Sequence, residues 1–418
     1  MFALVDAVSM YASCEKVFYP EIRRKPVIVL SNNDGCVVAV CPIAKRIGFK
    51  KFVPFFQIAD CARKAGVVVR SSNYSLYADL SQRLMDTCAR FAPSMHIYSI
   101  DEYFLRYDFD ATDEYWWDLG NQIRRTVWKE VCLPVGVGFG TTPTLAKAAN
   151  HAAKKLSGFK GVAVLNSHQS RQDVLPKMEV TDVWGIGKRL GNRLNLMNIN
   201  TAMQLAKQPP QQMRKHFSIT VENTVRELNG EVRLTWDEAR ADKKEIYSTR
   251  SFGQRITDKN QLKFALAKHA EIAAVKLRKQ HCVAGAMIIF ASSSPHDTAP
   301  YYRKSLLHSF AVPTSDTRNI IAATSAVLEK IYCAGVRYYK CGVGLMDIKS
   351  AVYSQGDLFS SSTDSPALMT CLDKINSRYG RSTLHFAAQG IEQKFDMRRD
   401  FLSKSSTTNW REIPRIKC

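Results

Sequence analysis

Short apolar runs and longer amphipathic patterns alternate through the first 170 or so residues of the chain. The runs at 2–5, 26–30, 67–70, 96–100, 134–138 and 161–164 predict strands. Between them, apolar positions at helical spacing near 10–18, 75–92, 113–130 and 144–155 predict helices. Alternation of this kind predicts an α/β layer in which helices pack on a sheet. Near Val180 the texture changes. Residues 180–191 set Gly185-Ile186-Gly187 between two short helical segments, and helical character continues to about Gly230. A polar, charge-dense stretch at 235–244 reads as a linker. After it the pattern predicts a strand at 246–256, a helix at 261–280, strands at 284–292 and 301–310, a helix at 318–332 and a strand at 338–347. That order is β-α-β-β-α-β, the split βαβ module. Past Lys349 order weakens. Residues 360–366 have linker composition, and some order returns at 368–377 and 384–391, ahead of a basic tail with no clear core pattern.

A chain of 418 residues is too long for one core and predicts two to four domains. Its 59 Lys and Arg against 38 Asp and Glu give a formal charge of +21, which favours a polyanionic partner. No apolar run approaches the roughly 18 residues of a membrane span, so nucleic acid outranks a membrane and a cytoplasmic location is expected. The N-terminus meets Asp6 too early for a signal peptide. Eleven Cys without a CxxC pair argue for reduced thiols rather than a zinc site or disulfide framework.

Charge then changes the picture at particular places. Asp6 closes the run at 2–5, and Asp101-Glu102 closes the run at 96–100. Carboxylates delivered at the ends of two short strands suit magnesium-dependent phosphoryl transfer, since Mg²⁺ is a hard cation that takes oxygen ligands. Three carboxylates can hold two such ions about 3.5–4 Å apart, clamping the attacking and leaving oxygens. Taken singly, each carboxylate also reads as a solvated strand end. A Gly-x-Gly turn lets backbone amides approach a phosphate, and Lys188, Arg189 and Arg193 could add charge to that contact. The split βαβ strands carry Arg250, Arg255, Arg303, Lys304, Arg337 and Lys340, either as an ordinary solvated sheet face or as a surface for a duplex backbone. Gln355-Gly356-Asp357-Leu358-Phe359 offers a polar hook and a Leu-Phe anchor beside a flexible tether, a candidate docking peptide.

In these residues the chain resembles the Y-family of translesion DNA polymerases, and most closely its bacterial UmuC branch. The resemblance rests on Phe2-Ala3-Leu4-Val5-Asp6 with Tyr11-Ala12-Ser13-Cys14-Glu15, on residues 30–38 and on Ser71-Ser72-Asn73-Tyr74. It continues through Tyr98-Ser99-Ile100-Asp101-Glu102, Leu145-Ala146-Lys147, residues 150–155, Val183-Trp184-Gly185-Ile186-Gly187, Arg250-Ser251-Phe252-Gly253 and Gly380-Arg381-Ser382-Thr383-Leu384. It implies a polymerase right hand of mixed α/β and α+β domains: a palm at 1–170 with a small fingers insertion at about 19–75, and a helix-hairpin-helix thumb at 171–234. A linker at 235–245, a little finger at 246–349, a tether at 350–367 and a C-terminal extension at 368–418 complete it. It further implies two Mg²⁺ ions held by Asp6, the Ala7 carbonyl, Asp101 and Glu102. Tyr11 matches a steric gate against ribose, and Lys45 and Lys154 match contacts to the incoming triphosphate. Gly185, Gly187, Lys188, Arg189, Arg250 and Arg255 are implied to meet DNA, and Gln355, Leu358 and Phe359 a sliding clamp. The implied activity is error-prone transfer of deoxynucleotides past damaged template bases in the SOS response. Primed and damaged DNA, dNTP, a processed UmuD-type subunit and a RecA filament are the implied partners.

The chain departs from the family pattern in two places. Val40-Cys41-Pro42-Ile43 replaces a more polar stretch, with Pro42 expected in a first helical turn, where Pro is tolerated. Asn198 stands where Gly is expected, and Asn also accepts the left-handed conformation. Two other readings stay open on sequence alone: a palm-type nucleotidyl cyclase, and a DNA-binding accessory that has lost catalysis.

Overall fold

Residues 1–235, 242–353, 363–380, 382–391 and 397–414 are described by the structure, a computed structural model of the chain. Phe2-Ala3-Leu4-Val5 carries no polar position because the strand it begins, β1 (Phe2–Ala7), is covered on both faces. The chain continues through α1 (Met10–Val17), β2 (Val27–Leu30), β3 (Val37–Val40), α2 (Pro42–Arg46), α3 (Phe55–Lys64), β4 (Val68–Ser71) and α4 (Tyr74–Ala89). Then come β5 (Ser94–Ile97), β6 (Glu102–Arg106), α5 (Asp113–Val131), β7 (Val135–Gly140), α6 (Pro143–Lys155) and β8 (Val162–Leu165). The main sheet has the order β5-β6-β1-β7-β8, and a small second sheet the order β3-β2-β4.

The packing of α6 on the main sheet positions the site. Strand β7 reads Val135-Gly136-Val137-Gly138-Phe139-Gly140, so its valines and Phe139 point to one face and its glycines to the other. A Cβ on Gly138 would lie 2.1 Å from the Asn150 amide nitrogen, and one on Gly140 would lie 2.4 Å from that of Ala146. The backbone of α6 therefore rests directly on β7. Asn150 locks the contact by donating to the carbonyls of Leu4 and Gly136 (3.1 and 2.8 Å). The outer face of α6, including Ala148 and Ala152, shares a core with the helices that follow. Those are α7 (His168–Val174), α8 (Lys188–Leu196), α9 (Ala202–Ala206), α10 (Pro210–His216) and α11 (Ile219–Leu228).

These elements form one unit, Met1–Glu238, to which Arg399–Cys418 also belongs. The other unit, Ala239–Arg398, contains β9 (Ile246–Ile256), α12 (Lys259–Lys279), β10 (Cys282–Ser293), β11 (Arg303–Thr314), α13 (Thr317–Ile331), β12 (Tyr338–Ser350) and α14 (Pro366–Tyr379). Its antiparallel sheet has the order β11-β10-β12-β9, and α12 and α13 share its core. The β-α-β-β-α-β order is the one the periodicity predicts. Among the described residues, no helix is long and apolar enough to cross a membrane.

The structure corrects several expectations. The strand expected at 96–100 runs instead at Ser94–Ile97; Asp101 stands in the turn that follows, and Glu102 opens the next strand, β6, rather than closing the expected one. The Ser99 hydroxyl accepts from the amides of Asp101 and Glu102 (3.3 and 3.1 Å), so the chain reverses where its apolar character suggested continuation. Strands β3 and β6 and helix α3 had no counterpart in the predicted elements. The first helical segment of the Gly-x-Gly hairpin is a single 3₁₀ turn, Val180–Asp182. Asn198 does adopt the left-handed conformation (φ 60°), and Pro42 is the first residue of α2.

Candidate active site

The three carboxylates reach one edge of the main sheet through strand pairing. Asp6 lies directly opposite Glu102 in the β1–β6 register, and the Ala7 amide donates to the Asp101 carbonyl (3.0 Å). Ser99 also donates its hydroxyl to Asp101 Oδ1 (2.6 Å), fixing that side chain. Because α6 rests on the glycine face of β7, two of its lysines reach the same edge. Lys154 passes over Gly136 and pairs with Asp6. Lys147, two turns earlier on the helix, donates to both Glu102 oxygens (3.1 and 3.2 Å) and lies over the rings of Tyr98 (4.2 Å) and Trp184 (5.1 Å). The Asp6 carboxyl is raised to about 6, first by burial and in smaller part by the neighbouring Glu102 and Asp101 charges, against the downward pull of Lys154.

A cleft of about 710 Å³ opens here, lined by Asp6, Ala7, Tyr11, Lys45, Lys51, Asp101, Lys154 and Lys155 among others. Burial lowers the pKa of the Lys45 ammonium, and the charges of Lys51, Lys154 and Lys155 lower it further. Four lysines around one cleft that they themselves strain electrostatically suit a polyanionic ligand. Pro42, of the Val40–Ile43 departure, lines the same cleft. Tyr11 is half-buried, stacked on Tyr77 (centroids 4.5 Å, 16°) and edge-on to Tyr74.

Asp6, Asp101 and Glu102 offer the hard oxygen donors that Mg²⁺ takes: Asp6 and Glu102 are paired across β1 and β6, and Asp101 is in the turn just before β6. As the side chains stand, Asp6 and Glu102 are turned to lysines, and among the described residues no three acidic, His or Cys groups converge as a metal-holding cluster. The fit to a divalent ion is one of donor type and backbone placement.

Residues 5–151 match the impB/mucB/samB family, residues 243–358 match that family's C-terminal domain, and residues 366–416 match a domain of unknown function. The chain is 43% identical to the protein UmuC of Salmonella typhimurium over 427 residues, covering 100% of both chains. It is 42% identical to SamB of Salmonella typhimurium, again over 100% of both. The chain belongs to the UmuC family of Y-family translesion DNA polymerases. DNA polymerase IV 2 of Bacillus subtilis is 24% identical over 92% of this chain and 93% of that one. Two solved structures share the fold over 84% of this chain and 100% of theirs. One is the insertion ternary complex of Dbh DNA polymerase (TM-score 0.54, 19% identity). The other is a Y-family chimera of Dbh and Dpo4 (TM-score 0.63, 18% identity).

Beyond the cleft, this polymerase arranges the remaining sequence candidates unevenly. Gly185 takes φ +87°, and Gly187 caps the N-terminus of α8 with Lys188 and Arg189 exposed beside it. Arg193 is occupied within its own unit, donating to the His216 carbonyl (2.9 Å) and stacking on Phe217. Trp184 donates to the Tyr98 hydroxyl (3.1 Å) and so ties the hairpin to the turn that carries Asp101. Arg255 makes a two-pronged pair with Asp297 (2.8 and 2.9 Å) and lies over Tyr339. Arg250 lies opposite the fully buried Cys341, on the face that carries the helices, whereas Lys340 lies opposite Ser251 and Ser292 on the other face. The basic strand residues therefore do not share one face. Gln355, Leu358 and Phe359 fall outside the described residues.

Lys147 belongs to the Leu145-Ala146-Lys147 motif, yet the sequence alone suggested no role for it. Helical spacing could have found one, because Lys147, Asn150 and Lys154 recur three and four residues apart on one face of α6.

Proposed function

We propose that the chain adds deoxynucleotides to a primer 3′-hydroxyl, directed by template DNA that includes damaged bases, in the SOS response and in the bacterial cytoplasm. The observation that carries this reading is the convergence of Asp6, Ala7, Asp101, Tyr11, Lys45 and Lys154 on one cationic cleft. Two Mg²⁺ ions held by Asp6, the Ala7 carbonyl, Asp101 and Glu102 would supply activation of the 3′-hydroxyl and neutralisation of the triphosphate and leaving pyrophosphate. Lys154 and Lys45 bind the triphosphate oxygens, Lys154 exchanging its contact with Asp6 for one with substrate. Lys147 holds the Glu102 carboxylate in place. Tyr11 closes the cleft where a ribose 2′-hydroxyl would sit, favouring deoxynucleotides.

In this reading residues 1–170 serve as palm with fingers at about 19–75, 171–234 as thumb and 246–349 as little finger. The hairpin amides at Gly185 and Gly187, with Lys188 and Arg189, grip a sugar-phosphate backbone. Gln355, Leu358 and Phe359 dock on a sliding clamp, and a processed UmuD-type subunit and a RecA filament are further partners.

Primer extension with Mg²⁺ tests the reaction. Asp101→Ala should abolish incorporation while DNA affinity stays within about twofold, because affinity comes mainly from remote phosphate contacts. Extension by Asp101→Ala at the unmodified rate would sink the two-metal assignment. Leu358→Ala with Phe359→Ala should leave synthesis on short primed DNA intact and remove clamp binding in a pull-down. A lowered melting temperature with clamp binding retained would instead assign those side chains to the polymerase's own core.

A further inference from the structure

Residues 400–404 lie hundreds of positions from the catalytic motifs, yet they are bonded to residues between Glu15 and Asn73 of the same unit. The Asp400 amide donates to Asp34 Oδ2 (2.8 Å), and the Phe401 amide to the Ser71 hydroxyl (3.0 Å). Ser71 in return donates its amide to the Phe401 carbonyl (3.0 Å). The Lys404 amide donates to the Tyr19 hydroxyl (3.1 Å), and the Phe401 ring sits edge-on to Phe55. Asn73 caps α4 with its oxygen and uses its amide nitrogen on the Ser403 carbonyl and hydroxyl (3.3 and 3.2 Å).

The deepest contact is to Glu15, whose side chain is fully buried. One of its oxygens accepts from both the Tyr77 hydroxyl (2.6 Å) and the Ser403 hydroxyl (3.0 Å). The other stands 3.5 Å from Arg70 Nε. A buried carboxylate with so few donors depends on each of them, and its position follows theirs. Tyr77 spends its hydroxyl on that carboxylate and its ring face on Tyr11.

We propose that the C-terminal strap, through Ser403, sets the orientation of the Tyr11 ring by way of Glu15 and Tyr77, and so tunes discrimination between deoxyribose and ribose. Ser403, Glu15 and Tyr77 are positioning residues; none of them lines the cleft. The proposal rests on the reading of Tyr11 as the sugar gate.

The test measures kcat/KM for dNTP and for rNTP by primer extension with the full chain. Ser403→Ala should lower the ratio of the two by roughly fivefold to tenfold, the scale of one hydrogen bond to a charged acceptor passed on through one ring contact. The loss should come from faster ribonucleotide use, with dNTP incorporation within about twofold. Ser403→Thr, which keeps the hydroxyl, should restore the ratio. Tyr77→Phe keeps the ring stack and removes the bond to Glu15, so it should move the ratio in the same direction even if the Ser403 variant folds poorly. A parallel loss of dNTP and rNTP activity in both variants would make the strap a fold support only and overturn the proposal. Tyr11→Ala separates the two layers of inference. If it leaves the ratio unchanged, the gate reading fails and the strap's part in sugar choice fails with it. If it collapses the ratio while Ser403→Ala and Tyr77→Phe do not move it, the gate stands and the strap proposal alone is overturned.

Discussion

The two larger sheets of this polymerase each carry glycines on an interior strand, and the space left by the missing side chains is filled in opposite ways. On β7, in the catalytic unit, it is filled by the backbone of α6. On β12, in the other unit, it is filled by side chains of neighbouring strands: a Cβ on Gly344 would meet the Tyr247 ring at 2.2 Å and Ile288 Cγ2 at 2.9 Å. A helix backbone is rigid and cannot retreat, whereas the half-exposed Tyr247 ring can turn aside. The first arrangement makes a helix part of the sheet and aims its lysines at fixed carboxylates. The second leaves an open, adaptable face. The proposed chemistry sits on the rigid sheet.

The sharpest way to break this comparison is to add one methyl group to each. Gly138→Ala drives a Cβ into the Asn150 amide and the Ala146 carbonyl, both main-chain atoms of α6. Overpacking against backbone on this scale is expected to cost about 3 kcal/mol or more and to displace Lys147 and Lys154 together. Gly344→Ala also recovers some of the entropy that glycine loses in a strand, so its net effect should stay within about 1 kcal/mol of zero. Denaturant melts of the two variants measure the difference. Equal destabilisation would mean that α6 is free to shift and does not register the site.

A second effect, smaller than loss of the fold, concerns Lys147. Lys147→Met keeps the stem over Tyr98 and Trp184 but removes the ammonium that holds Glu102. Single-turnover incorporation should slow by about tenfold, with DNA affinity within about twofold, since the variant lacks one charge-assisted bond that positions a carboxylate. An unchanged rate would show that Glu102 is oriented by the β1–β6 pairing alone.

The same contrast explains what could be read along the chain. Strand β1 was legible because burial on both faces demands an unbroken apolar run. The split βαβ order was legible because each element there is long and periodic. Strand β6 was not, because Tyr98, Ser99 and Ile100 continue the apolar texture through a turn that a single serine hydroxyl closes. The expected meeting of Asp6, Asp101 and Glu102 did not depend on the exact strand ends, since the β1–β6 pairing brings their backbone positions together wherever β6 begins. The pairing of Ser403 with Glu15 had no local trace at all; 388 positions separate them, and neither residue is unusual where it stands.

The smallest expected effect tests the open sheet. By register, Arg303 and Lys340 both face Ser292 on the side away from the helices, whereas Arg250 shares the helix side with Ser248, whose hydroxyl meets His269 of α12 (2.9 Å). If the open side meets a nucleic acid backbone, neutralising Lys340 or Arg303 to Gln should weaken primer-template binding a few-fold at low salt. For every phosphate no longer neutralised, the slope of log K against log salt should also become shallower by about 0.9. Arg250→Gln should leave that slope unchanged, even though the sequence pattern grouped it with the others. Its charge instead helps keep the buried His269 imidazole neutral: burial first, then Arg250 and Lys276, depress that pKa to about 4. Removing the Arg250 charge should therefore raise the His269 pKa, readable by NMR titration, with no change in DNA affinity. A salt slope that falls for Arg250→Gln and holds for Lys340→Gln would place the DNA-facing surface on the strand edge rather than on the open face of the sheet.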